Sequence, residues 1–305
     1  MNFPIIFIHK GDSFYLKYAF ENARKYNPNA RIILIGDNVT VYPDFVEYYA
    51  FSDYGKLINK FRKAYKHLST NNEEIERFCF ERWLVLNEFL KQNKIKKCLT
   101  LDSDVLLFKD IQKDMGKFKE YSITMANKTS GGFMHINNAK IISDLEKFIF
   151  DSFNFKKENY LLTFWKDHKA KDWCGGVNDM TVLEEFYKRN PGKIGEITDI
   201  INGETYCAGI NSSHGYQMEN GIKKMIFQKK LPFGVLERNN KKIKFCCLHF
   251  AGPTKFYMKY FARGKFNSID KLKVKTMMFL RNRFSNKLSP NQILFVKKLL
   301  VRFRF

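Results

Sequence analysis

The 305-residue chain has only six cysteines and no CxxC pair among them, so no zinc-ribbon spacing and no disulfide framework is spelled out. They stand at 79, 98, 174, 207, 246 and 247, with Cys98 and Cys246 inside apolar runs, and read as reduced, buried thiols of a cytosolic protein. No stretch of about 18 uncharged apolar residues occurs, so nothing reads as a membrane span. The opening MNFPIIFIHKG has neither a basic leader nor a small-residue cleavage site, and no signal peptide is expected there. A Walker A loop and a GxGxxG turn are both missing, which argues against kinases, P-loop ATPases and dinucleotide enzymes. Internal repeats and Pro- or Ser-rich linkers are absent too.

Acidic residues are scarce at one end. The chain carries 53 Lys/Arg against 31 Asp/Glu, a net charge of +22, and the 51 residues from Lys255 onward hold 14 of the basic residues beside one acid, Asp270. The body before them is only mildly basic. A basic terminal segment points to a polyanion, either nucleic acid or an anionic membrane surface, or else to an ordinary solvated face. Two amphipathic helices are expected here, over 268–284 and 289–305, with Ser289 and Pro290 as N-cap and first-turn residue of the second. Residues 1–265 are read as the main domain and 266–305 as a basic helical tail. At 45% hydrophobic and 16% aromatic, the chain has ample material for a core.

Along that domain, strand-like and helix-like stretches alternate. FPIIFIHK (3–10), RIILIGD (31–37) and VEYYAF (46–51) read as strands, and 12–28 as a helix stopped by Pro28. A long helix is expected from Asn72 to Gln92, then a strand through Leu101, strands at 122–126 and 131–137, and helices from Asn138 and from Asn178, the latter ended by NPG at 190–192. IKFCCLHF (243–250) is a late strand. This order predicts an α/β fold with a mainly parallel sheet and helices on both faces, in which ligands bind at the carboxyl ends of the strands.

LDSDVLLF places Asp102 and Asp104 where a buried strand ends. Burying charge without a partner is costly. Two carboxylates one residue apart on a strand share a side, and form half a divalent-cation site, or else one caps a turn and the other pairs with a base. Arg82 falls on the apolar stripe Ile75, Phe78, Cys79, Leu86 and Phe89 of the preceding helix. An Arg there needs an anion, with the aspartates or a bound diphosphate as candidates, or it snorkels at the helix edge. In CLHFAGPTK, His249 follows an apolar strand, Gly252 permits close backbone approach and Lys255 can reach a phosphate.

LDSDVLLF, SGGFMHIN, NDMTVL and LHFAGPTK, in that order over roughly residues 3 to 260, resemble glycosyltransferases of the GT-A fold, and family 8 in particular. The resemblance implies that Asp102, Asp104 and His249 bind a divalent ion, usually Mn2+ though Mg2+ is the alternative, and that Lys255 touches the diphosphate of a nucleotide sugar. It implies that Gly131, Gly132 and Asn137 line the sugar pocket, with Ser103 and Gly252 beside the donor, and that Asp179 is the acid near the donor sugar. Met180 stands where the family usually has Gln, and the late Lys lacks the usual Pro-Trp context. By analogy of fold, His9, Lys10 and Asp12 lie where the nucleotide base rests. Trp173 is either a stacking surface for the acceptor or a core residue.

The function expected from these residues is transfer of a hexose or N-acetylhexosamine from a UDP-sugar to a saccharide acceptor. Family 8 implies retention of configuration. The basic tail suggests a lipid-linked acceptor in bacterial surface polysaccharide synthesis (lipopolysaccharide, O-antigen or capsule), with the enzyme peripheral on the inner face of the cytoplasmic membrane. One alternative is a basic nucleic-acid-binding protein, although no helix-turn-helix, zinc finger or RNP signature is present and no nucleic-acid partner is expected. The other is a nucleotidyltransferase of the same fold, which would need a Gly-rich basic loop after the first strand; HKGDSFYLK is a poor match.

Overall fold

The structure is a computed structural model and describes residues 3–155, 159–267, 269–272 and 274–276. The chain begins β1 (Ile5–Lys10), α1 (Leu16–Tyr26), β2 (Ile32–Asp37), β3 (Val46–Ala50), with the three strands parallel. β1 and β2 are rich in Ile, Leu and Phe because both of their faces are covered: Ile5 and Phe7 pack to one side, Ile6 to the other. After α2 (Ile58–Ala64) comes α3 (Glu73–Gln92). Its N-cap, Asn72, accepts from the Ile75 amide at 3.1 Å, while Glu73, Glu74 and Glu76 complement the positive end of the helix dipole. Ile75 is 65% exposed, contrary to the stripe expected from spacing; this first turn is held by caps and ion pairs, and the buried apolar face starts at Phe80.

β4 (Cys98–Leu101) follows and pairs parallel with β1. β4 ends before Asp102, as expected, and the apolar residues after Asp104 form a separate strand, β5 (Val105–Leu107), that belongs to a different sheet. The chain continues through β6 (Ile123–Met125), β7 (Phe133–Ile136), α4 (Lys140–Ser152), α5 (Tyr160–Ala170), α6 (Asp179–Arg189) and β8 (Ile194–Glu196). The large sheet has the order β3–β2–β1–β4–β7–β6–β8, with only β7 running against its neighbours. The expected mainly parallel sheet is present.

The second sheet is made by β5 with β9 (Glu204–Tyr206), β12 (Met225–Gln228), β13 (Leu231–Val235) and β14 (Lys242–His249). A small hairpin of β10 (Met218–Glu219) and β11 (Ile222–Lys223) interrupts it, and α7 (Met258–Phe261) follows. One face of the large sheet is covered by α2, α3, α4 and α6. The other is covered by α1, α7 and the second sheet. Helices therefore lie on both faces, as alternation predicts, but the second sheet shares the cover on one of them.

The start of the expected tail is helical at 269–272 and 274–276 and packs on the body: Val274 is fully buried, and Phe266 lies 4.9 Å from the Phe261 ring centre. Lys271 pairs with Glu219 at 2.7 Å. The remainder of the first expected tail helix and all of the second lie outside the described residues. Among the described residues no helix is long and apolar enough to cross a membrane. Five of the six thiols are buried or half-buried, as expected; Cys174 is exposed, on the loop before α6.

Candidate active site

The site forms where the two sheets meet. Asp102, Ser103 and Asp104 make the turn from β4 into β5, closed by a 3.1 Å hydrogen bond from the Val105 amide to the Asp102 carbonyl. The turn brings both carboxylates to one corner, where strand alternation had been the expected cause. β14 runs antiparallel to β5, with His249 opposite Val105, so the imidazole reaches the same corner from the far end of the chain. One ligand atom from each of Asp102, Asp104 and His249 can be chosen so that all three lie within 4.8 Å of one another.

Packing around this corner is specific. A Cβ on Gly132 would stand 3.0 Å from Asp102 Oδ2 and 3.3 Å from His249 Cε1, so only glycine leaves both side chains in place. A Cβ on Gly131 would run into the Trp83 ring. Gly252 takes φ +58° in the turn after β14, in open space, and leads to Lys255.

The corner's polar groups are paired. Lys255 Nζ lies 2.9 Å from Asp104 Oδ2, and His249 Nε2 lies 3.2 Å from Asp104 Oδ1. His249 Nδ1 is 2.8 Å from the Ala208 carbonyl, so Nδ1 carries the proton that bonds there and Nε2 is the atom turned to the carboxylates. Burial works to lower the His249 pKa, but the hydrogen bond and charge of Asp104 outweigh it and raise it to about 9. Burial likewise works to raise the Asp104 pKa, and His249 and Lys255 together pull it well below the usual carboxylate range.

Arg82 meets the anions its position called for. Nη1 donates to Asp102 Oδ1 at 2.5 Å and Nη2 to Asp179 Oδ2 at 2.7 Å. Asp179 is buried in the first turn of α6, whose N-cap Asn178 forms a capping box with Thr181. Its Oδ2 also accepts from Trp83 Nε1 at 3.1 Å. The Trp83 contact was not legible in sequence; its only signal is that Trp83 directly follows Arg82.

Of the residues placed at the base-binding end, His9 is brought in: Nδ1 lies 2.8 Å from Ser103 Oγ and Nε2 lies 3.1 Å from Ser13 Oγ. Burial lowers its pKa to about 4. Lys10 and Asp12 are tied elsewhere. Lys10 pairs with Glu74 at 2.5 Å and Asp37 at 3.6 Å, and Asp12 accepts from Thr40 and Val41. Asn137 is corrected: β7 is antiparallel to β4, so Phe133 is at the Leu101 end and Asn137 beyond the opposite end, where its amide serves the Phe118 and Tyr121 carbonyls.

Trp173 is no core residue. It is 58% exposed, with Lys171 Nζ 4.6 Å above its ring. Its loop is pinned because Gly176, at φ +148°, presses on the Leu68–Ser69 backbone, where no side chain fits. Beside the loop opens a groove of about 510 Å³ lined by Asn71, Phe164, His168, Asn178, Met180 and Glu184, among others. Asn178 and Met180, which line the groove, flank Asp179 in the chain, and Arg82 bridges the Asp179 carboxylate to Asp102.

No family model matches the chain, and no curated protein matches it. Solved structures do. The chain is similar to galactosyltransferase LgtC in complex with donor and acceptor sugar analogs, at 11% identity over 88% of this chain and 99% of that one, with a TM-score of 0.45. It is similar to mouse xyloside xylosyltransferase 1, at 8% identity over 67% and 88% of the two chains, TM-score 0.43. It is also similar to the bifunctional glycosyltransferase WbbM, at 9% identity over 90% and 51%, TM-score 0.45.

Proposed function

We propose that this chain is a metal-dependent glycosyltransferase that moves a hexose or N-acetylhexosamine from a UDP-sugar to a saccharide acceptor, with retention of configuration. The observation that carries this is the convergence of Asp102, Asp104 and His249 at the joint of the two sheets, with Lys255 beside them. The donor set fits a divalent ion: two carboxylate oxygens and the His249 Nε2, which gives up its proton to bind, packed tightly beside Gly132. An imidazole among the ligands suits Mn2+ better than Mg2+. Such an ion, when bound, is a Lewis acid for the departing diphosphate.

The protein's own groups supply the rest. Lys255, whose ammonium sits 2.9 Å from Asp104, offers its charge to a diphosphate. Arg82 bridges Asp102 and Asp179 with one hydrogen bond to each, which restrains both carboxylates. Asp179 places negative charge where a sugar lying between the corner and the groove develops positive charge. His9 and Ser103 present a polar edge to the nucleoside, and Trp173 with the groove beside it takes the acceptor saccharide. The acceptor is lipid-linked, in bacterial surface polysaccharide synthesis, and the basic tail holds the enzyme on the inner face of the cytoplasmic membrane.

The test is a screen of nucleotide sugars for slow hydrolysis, with and without Mn2+, using Asp104→Asn as control. Metal-dependent UDP release from one sugar nucleotide, lost in the variant, is expected. Equal rates in the two proteins would overturn the proposal.

A further inference from the structure

Lys223 is the one lysine among the largest fully buried side chains, only 1% exposed. A lysine rarely occupies such a place without a carboxylate partner, yet among the described residues no acid forms an ion pair with it. Its ammonium instead donates to two backbone carbonyls, those of Gly209 and Ser212, and lies 5.8 Å from the centre of the Tyr216 ring. Its own amide donates to the Ile210 carbonyl at 2.7 Å. Three hydrogen bonds from one residue thus bind segment 209–212.

That segment grips His249. The Ala208 carbonyl lies 2.8 Å from His249 Nδ1, and the Ile210 amide donates to the His249 carbonyl at 3.0 Å. One residue earlier, Cys207 N bonds the Cys247 carbonyl at 3.4 Å, so the loop is laced to the end of β14. A short, irregular stretch has few hydrogen bonds of its own. Without a donor inside its bend, the buried Gly209 carbonyl would be unmet and the half-buried Ser212 carbonyl would lose its partner, and the loop would relax.

We propose that Lys223 is a positioning residue for the cation site: by strapping segment 209–212 it holds the Ala208 carbonyl against His249 Nδ1 and keeps Nε2 aimed at Asp102 and Asp104. The inference rests on the reading of Asp102, Asp104 and His249 as ligands. Partners that orient a ligating histidine through its other nitrogen are worth about 10–100-fold in metal affinity.

The experiment is a double-mutant cycle read as Mn2+ affinity, from the electron paramagnetic resonance signal of free Mn2+. Lys223→Met is expected to weaken Mn2+ binding by about 10-fold or more when His249 is present, and by less than about twofold in a His249→Ala background. Equal weakening in both backgrounds, or none in either, overturns the positioning role. Should Lys223→Met fail to fold, Lys223→Gln carries the cycle. It keeps a donor for one carbonyl, and a smaller loss confined to the His249-containing protein is expected; the same loss in both backgrounds overturns the role. A wild-type protein that binds no Mn2+ overturns the cation site itself, which separates that failure from this one.

Discussion

Arg82 Nη2 and Asp179 Oδ2 lie 2.7 Å apart, joining the middle of α3 to the first turn of α6, while the other arm of the same guanidinium holds Asp102. One side chain therefore sets the spacing between the cation corner and the acid beside the groove. Arg82→Met leaves two partly buried carboxylates without their cation and is expected to destabilise the protein by about 3–5 kcal/mol, measured by urea unfolding. Arg82→Lys keeps the charge but loses the fork. It is expected to fold, with UDP-sugar hydrolysis reduced by about 10–100-fold; an unchanged rate would separate the fork from activity.

The His249–Asp104 pair gives the metal-free protein a defined pH profile. A group whose pKa rises on folding adds stability that is full below its unfolded value and lost as pH climbs through its folded value. For His249 those are 6.5 and about 9. Asp104, depressed by the same contact, adds stability above the usual carboxylate range and loses it as pH falls below that range. The melting temperature without metal is expected to fall between pH 6.5 and 9, and this limb to flatten in His249→Gln. Mn2+ affinity should run the other way and strengthen with pH, because the ion needs the Nε2 lone pair. A His249→Gln protein with an undiminished alkaline limb contradicts the assignment.

Trp173 is exposed and packs on little but Lys171 and His168. Trp173→Ala should change stability by no more than about 0.5 kcal/mol. Its expected effect is a rise of about 10-fold in acceptor KM, the loss of one stacking contact, with donor hydrolysis in the absence of acceptor unchanged. A fall in hydrolysis to match would move Trp173 out of an acceptor role.

For the membrane reading, the place to cut matters. Val274 is buried and Lys271 is paired, so a chain ended after Thr276 keeps its packed first turns and loses only 277–305. That truncation is expected to abolish binding to anionic vesicles, since it removes seven Lys/Arg at about 1 kcal/mol each near a charged surface. Undiminished sedimentation with the vesicles would contradict a membrane role.

The large sheet was readable because its strands are apolar runs separated by helices whose apolar period is a local signal, as are the caps Asn72 and Asn178 of α3 and α6. The second sheet was mostly not. Most of its strands are short, three to five residues, and its pairings bring β5 to β14 across more than a hundred positions. The strand end at Asp102 was legible, but that VLL after it is a strand of the second sheet was hidden for the same reason. α2 and α5 escaped notice because neither stands out as a clean amphipathic pattern. At the site, Asp102, Asp104, His249 and Arg82 were legible as charges in apolar surroundings. Lys223 was not, since it looks like any lysine in a polar hairpin until Gly209 and Ser212 turn their carbonyls toward it.

The acidic turn is also the hinge-point where the chain leaves one sheet for the other, and His249 is the last residue of the strand lying against it. An ion seated there would act as a removable cross-link between distant parts of the polypeptide, closing a loop that spans nearly half its length. Loaded protein should then melt as one cooperative body, whereas chelation should let the β14 layer fray ahead of the rest, turning metal supply into a control on how firmly the two halves are clasped.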